Sequence, residues 1–244
     1  MTNLNPSRIG KLADLQPDRK NDGISDEEIV ERIFEAVLEQ RLPPGSKLSE
    51  SALCTAFGVG RMRVRRSFLL LASRGVVELQ SNRGAFVASP TAEQAREVFE
   101  ARLAIEPNVT RHAVARASDA DIHALSQHLS SEMEAHHDGK RRDAIRLSGH
   151  FHVLLAQVAA NSVMLGMIKE LVARTSLIIG IFGGPGPVNC RCHDHGVILD
   201  SLKVRDQEAA AAHMVAHIDE LRACIDLSEV RDRSVDLVTL FSRT

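Results

Sequence analysis

Apolar and charged positions alternate with a helical rhythm in the stretch "SDEEIVERIFEAVLEQ", residues 25–40. Ile29, Ile33, Phe34 and Val37 fall on one stripe of a 3.6-residue helix, and acids crowd its first turn. Ser25 stands at the N-cap, with Glu28 at the reciprocal capping position three residues on. "RLPPGSKL" breaks the pattern. A short helix follows from Ser49 to Gly58, then a tight "VG" link. A third helix is expected over 60–74, with Val64, Phe68 and Leu71 as its buried stripe and Gly75 closing it. In "VVELQSNRGAFVAS" two β-like runs, 76–79 and 85–87, flank turn chemistry at Asn82 and Gly84, which predicts a hairpin.

Beyond Pro90 the strand signal disappears, and residues 91–227 read as Ala- and Leu-rich helical segments. Breaks near Ser118, Gly139, Asn161, the 183–189 stretch "GGPGPVN" and residues 204–206 divide them into about six helices, as in an antiparallel bundle. Pro107, inside the first of these, should bend it. Residues 1–23 are polar and aperiodic and read as a mobile tail; 228–244 form a C-terminal tail with no assigned element. The expected organisation is mainly α, with a small helix-and-hairpin domain over 24–89 and an all-α domain over 91–227.

Composition adds limits. With 8 Phe and neither Trp nor Tyr, the core must be aliphatic. No run approaches the ~18 apolar residues of a membrane helix. The first 23 residues hold no apolar block of signal-peptide length, so a cytoplasmic protein is expected. Four cysteines without framework spacing fit a reducing compartment. A formal charge of −2 excludes a generally basic coat but not a local patch. Such a patch exists: Arg61, Arg63, Arg65 and Arg66 lie within six positions, with no acid among them. They sit at the N-terminal end of the third helix, where the helix dipole disfavours cations, so stability does not ask for them. A polyanion does. The preceding helix and tight link and the following hairpin complete a DNA-binding arrangement, and double-stranded DNA is the expected partner.

The histidines sort by periodicity. His152 shares a stripe with Ser148, Leu155 and Ala159; His195 lies with Ile198, Leu199 and Leu202; His217 lies among Met214, Ile218 and Leu221. Three helices thus aim three imidazoles at apolar surfaces, and a bundle can bring them together, which invites a metal hypothesis. His213, one turn before His217, is expected to line the same cavity, whereas His150 and His193 should face away. His136 and His137 read as loop residues without a role. "CRCHDH" at 190–195 has no second cysteine pair to complete a thiolate zinc site. The rival reading is a metal-dependent hydrolase on the helical domain. The acids nearest in sequence to the histidines are Asp194, Asp200, Asp219 and Glu220; Asp194 and Asp219 should project away from them, which disfavours a catalytic base.

"RLPPGSKLSESAL", "FGVGRMRVRRSFLLLASRGVVEL" and "NRGAFVAS" resemble the winged helix-turn-helix of the GntR family of bacterial transcription regulators. "EARLAIEP", "FHVLLAQVAAN", "DHGVILDSL" and "AAAAHMVAHIDEL" resemble the helical effector domain of its FadR-like branch, the FCD domain. The resemblance implies operator contacts for Arg61 and Arg65 and a wing-tip role for Gly84. It departs at Gly60, Arg63 and Arg66, where Ser, Pro and an acid are usual. It also implies a metal held by an Asp and three His, with a small carboxylate effector completing the coordination. The histidines carry over to His152, His195 and His217, but the Asp position is Ser148. Arg102 matches an arginine suited to clamp a carboxylate, against the alternative of a surface pair with Glu106 one turn on. A homodimeric, effector-responsive repressor is the function so implied.

Overall fold

A computed structural model of the protein describes residues 24–183 and 192–227. The terminal tails and most of "GGPGPVN" lie outside the described residues. The N-terminal domain opens with α1 (Asp26–Leu38), whose buried face includes Ile29, Ile33, Phe34 and Val37; Ser25 and Glu28 form the reciprocal cap. Then come β1 (Lys47–Leu48), α2 (Glu50–Phe57), α3 (Arg61–Ser73), β2 (Val77–Gln80) and β3 (Gly84–Val87). The sheet has the order β1-β3-β2, all antiparallel. The hairpin was expected; β1 was not, because two residues show no period, and it pairs Lys47 with Phe86 and Leu48 with Ala85. Val64, Phe68 and Leu71 of α3 are buried and pack with α1 beneath the sheet. The result is a winged helix-turn-helix.

Gly58 and Gly75 take left-handed conformations after α2 and α3, at φ +66° and +67°. Gly75 also faces a neighbour: an added Cβ would stand 2.6 Å from Cζ of Arg174 in the helical domain. Gly75→Ala should therefore lose about 1–2 kcal/mol to left-handed strain alone, a fall of roughly 2–8 °C in melting temperature. A melting curve identical to wild type would refute that account.

Six helices follow among the described residues: α4 (Ala92–Arg116), α5 (Asp119–His137), α6 (Arg141–Val158), α7 (Ser162–Phe182), α8 (Cys192–Lys203) and α9 (Gln207–Ala223). Four of their starts are chemically marked. Thr91 with Gln94 and Ser118 with Asp121 make reciprocal caps, and Asn161 and Asp206 accept amides at the starts of α7 and α9. α4 runs through Pro107, which has no amide to donate to the carbonyl of Leu103. α4 is the centre of the bundle, lying along α9 and against α6, α7 and α8. Its buried set, from Ala95 and Phe99 through Arg102 and Glu106 to Val109 and Ala113, covers more than one face. No described helix is long and apolar enough to cross a membrane.

The two domains touch through the end of α1. Ser176 Oγ in α7 donates to the carbonyl of Leu38 at 2.9 Å and lies 3.3 Å from that of Val37. Gln40 Nε2 donates back to the Ser176 carbonyl at 3.3 Å. Gly180 leaves room for Pro44, and Glu39 reaches Arg146 of α6 at 3.5 Å.

Candidate functional site

α3 presents its arginines on two sides of the buried stripe. Arg61 is exposed at the first position of the helix. Arg65 is exposed and donates to Glu50 of α2 at 2.8 Å. Arg66 donates to Asp26 of α1 at 2.7 Å. Arg63 is more enclosed: it reaches the Ile24 carbonyl at 2.7 Å and Asp26 at 3.1 Å, bracing the start of α1. Of the four cations expected to face DNA, Arg61, Arg65 and Arg66 are thus exposed, Arg65 resting on Glu50 and Arg66 on Asp26, while Arg63 is the enclosed one. Two exposed apolar residues, Met62 and Leu69, share the face of Arg65 and Arg66, a feature the sequence reading missed. Apolar groups in that setting match thymine methyls in a major groove. Gly84 opens β3 at φ +99°, a conformation glycine adopts freely, and nothing lies within 4 Å of a Cβ built there. Beside it, the Arg83 guanidinium lies over the Phe86 ring at 5.5 Å.

In the bundle, α6, α8 and α9 bring His152, His195 and His217 together, all buried. Their ligand nitrogens lie within 4.8 Å of one another. Nε2 of His217 is 3.2 Å from Nε2 of His195 and 3.3 Å from Nε2 of His152. The other ring nitrogens of two of them meet carboxylates. Nδ1 of His195 is 2.9 and 3.0 Å from the two oxygens of Glu132 in α5. Nδ1 of His152 is 2.5 Å from Oε2 of Glu106 in α4. An ionised carboxylate only accepts, so opposite ionised Glu132 the proton of His195 is placed on Nδ1, leaving the Nε2 lone pair facing inward. The same holds for His152, whose Nε2 lies 3.2 Å from Nη2 of Arg102, a group that can only donate. Phe151 stacks on the His195 ring, with centroids 4.2 Å apart, and holds its plane.

Burial sets the charges. It drives His152 well below the usual imidazole range, more than the neighbouring Glu106 restores, so the ring is neutral. Glu106 is equally buried, which alone would raise it, but the Arg102 guanidinium and the His152 ring hold it below the usual carboxylate range. Desolvation pushes Glu132 up to about 7, against the pull of His136 and the other imidazoles around it.

Arg102 corrects the surface-pair alternative: it is 1 % exposed and Glu106 is 2 % exposed. Besides its Glu106 ion pair, Arg102 donates to Thr175 at 3.3 Å. Arg102, Ser148, His152 and Thr175 line one side of a cavity of about 30 Å³; Leu38 and Ser176 line it where the domains meet. His213 is absent from that lining. It is half-buried and pairs with Ser201 of α8 at 3.1 Å, because one turn toward the start of α9 brings it level with Ser201. His136 is no loop residue: it sits in the last turn of α5 and lines the cavity, its buried Nε2 4.0 Å from Glu132 and without a hydrogen bond among the described residues. His137 also belongs to α5 and is exposed. His150 is exposed, as periodicity required, while the side chains of Cys192 and His193 lie outside the described residues. Glu106 and Glu132, the acids that meet the imidazoles, were not among the four weighed from sequence.

Comparison with known proteins agrees with both halves. Residues 25–87 match the model of bacterial regulatory proteins of the gntR family, and residues 97–220 match the FCD domain. The HTH-type transcriptional repressor RspR of Escherichia coli K12 is 28 % identical over 196 residues, covering 80 % of this chain and 85 % of that protein. The HTH-type transcriptional repressor NanR of Salmonella newport is 24 % identical over 224 residues, covering 81 % and 84 %. Among solved structures, E. coli McbR/YncC superposes with a TM-score of 0.74 at 18 % identity, covering 81 % of this chain and 95 % of that one. A GntR regulator from Rhodococcus sp. RHA1 gives 0.70 at 21 %, with the same coverage. These two establish likeness of fold. With its winged helix-turn-helix and its FCD bundle both matched, the chain belongs to the GntR family of bacterial transcription regulators and is a DNA-binding regulator, not an enzyme.

Proposed function

We propose that the protein is a cytoplasmic homodimeric repressor, with its head over residues 24–89 and its sensor over 91–227. The sensor binds a small organic acid with the help of a divalent ion at His152, His195 and His217. The observation that carries this reading is the convergence of three buried Nε2 atoms beside a cavity lined by Arg102. The donor set fits such an ion: neutral imidazoles, two with their lone pairs turned inward by carboxylates, suit Zn or Ni. Bound there, the ion would supply a Lewis-acid site for one oxygen of a carboxylate. Arg102, Ser148 and Thr175 offer donors beside it, and the cavity is of the size of a few water-sized groups. Ser148 stands where the family resemblance implies Asp, so the anionic ligand is missing from that position.

Dimerisation follows from readout: one short recognition helix meets few base pairs, and two half-sites multiply specificity. Repression accords with the repressors RspR and NanR among the similar proteins. The hydrolase alternative has no support, since both buried acids at the site are engaged with imidazoles.

The test is elemental analysis of purified protein combined with a thermal-shift screen of small carboxylates, with and without chelator. The wild type should carry about one divalent ion per chain and be stabilised by an acid only in the ion's presence. His152→Ala with His217→Ala should abolish both effects. Full retention of the ion in that double variant would refute the site.

A further inference from the structure

Imidazole ligates a metal as a neutral donor, so a divalent ion at this site would bring two positive charges with no ligand charge to offset them. Two carboxylates stand one shell out, and they are not equivalent. Glu106 forms an ion pair with Arg102, so its charge is already matched within α4. Among the described residues, Glu132 pairs with no Arg or Lys. Its side chain is fully buried, its two oxygens accept from Nδ1 of His195, and its other near contact is His136 at 4.0 Å. It comes from α5, which contributes none of the three histidines, and reaches across to α8.

We propose that Glu132 is the positioning residue of the metal centre. It fixes the His195 proton on Nδ1, so that Nε2 enters the ligand set as a ready donor. It also supplies the uncompensated negative charge that a set of neutral ligands lacks. This inference rests on reading the three histidines as a metal site. Carboxylates that orient a ligating histidine in this way typically account for about 10–100-fold in metal affinity. Burying a carboxylate against imidazoles is costly in the absence of a cation, and hydrophobic packing alone gives no reason for an acid at this position.

The experiment uses the full-length protein stripped with chelator and titrated with Zn²⁺ by calorimetry, and with Co²⁺ followed by its visible absorption. Glu132→Gln keeps the shape and an acceptor for His195 but removes the charge; Glu132→Leu removes both. Affinity should fall about 10-fold or more in Glu132→Gln and further in Glu132→Leu. The Co²⁺ spectrum should shift in Glu132→Leu as His195 loses its fixed orientation. Nitrogen-15 spectra of metal-free wild type should show His195 protonated on Nδ1, a measurement that needs no variant to fold. Wild type that binds, with Glu132→Gln binding equally well, would overturn the proposal and leave the histidine site standing; a His195 proton on Nε2 would overturn it too. Wild type that binds no ion would instead remove the metal reading on which the proposal rests.

Discussion

Glu106→Ala should destabilise the protein by about 3–5 kcal/mol, because it strands a buried guanidinium. Arg102 and Glu106 are among the most enclosed charged groups described, one turn apart on the central helix, and among the described residues Arg102 meets Thr175 and His152 besides. A surface pair at that spacing contributes about 0.3–0.5 kcal/mol, so burial decides the outcome. For a chain of this size the melting temperature should fall by roughly 6–20 °C. The companion measurement separates a broken pair from mere loss of packing. Arg102→Met combined with Glu106→Leu should be markedly more stable than Glu106→Ala, since replacing both charges leaves none unpaired. If Glu106→Ala melts like wild type, the pair is not the buried element described here.

Arg65→Ala should leave folding intact and remove specific DNA binding. The side chain is 58 % exposed and its partner in the free protein is Glu50, an ion pair that contributes no more than about 1 kcal/mol. On a duplex the same guanidinium is free to exchange Glu50 for guanine O6 and N7, a contact that contributes about 1–3 kcal/mol of discrimination. In the proposed dimer two copies would double this, so affinity for a selected operator should drop by about 30-fold to 10⁴-fold, with binding to random duplex far less affected. Fragments enriched from a randomised library provide the operator, and fluorescence anisotropy at fixed salt provides the comparison. An unchanged footprint would sink the assignment of α3 as the reading helix.

Much of this was legible from residue spacing alone. The stripes of α1 and α3 predicted their buried faces, and the caps and glycines marked most element starts. The histidines were found because each occupies a place in an otherwise apolar stripe. Their carboxylate partners escaped for physical reasons. Glu106 follows Arg102 by one turn, the spacing of a solvated pair, and only the covering of α4 by α6, α7, α8 and α9 buries it. Glu132 lies in the polar run "SSEMEAHH", which reads as surface. Its signal was nevertheless present: Leu125, Leu129 and Glu132 continue one stripe of α5, so an acid stands where the period requires a hydrocarbon. His213 shows the opposite error, since sharing a face with His217 places it over Ser201 and not over the cavity.

One wall residue of the cavity in the bundle, Leu38, belongs to the DNA-binding domain. Leu38 closes α1 and faces that space, and its carbonyl is held by Ser176, which faces it as well. On the proposed function, a guest that takes the Ser176 hydroxyl for itself would release the last turn of the first helix, and an operator that turns the head would tug on the same hydroxyl from the other side. Under the proposed function, thermodynamic reciprocity would make the operator as much a regulator of acid binding as the acid is of the operator, by the same factor in each direction.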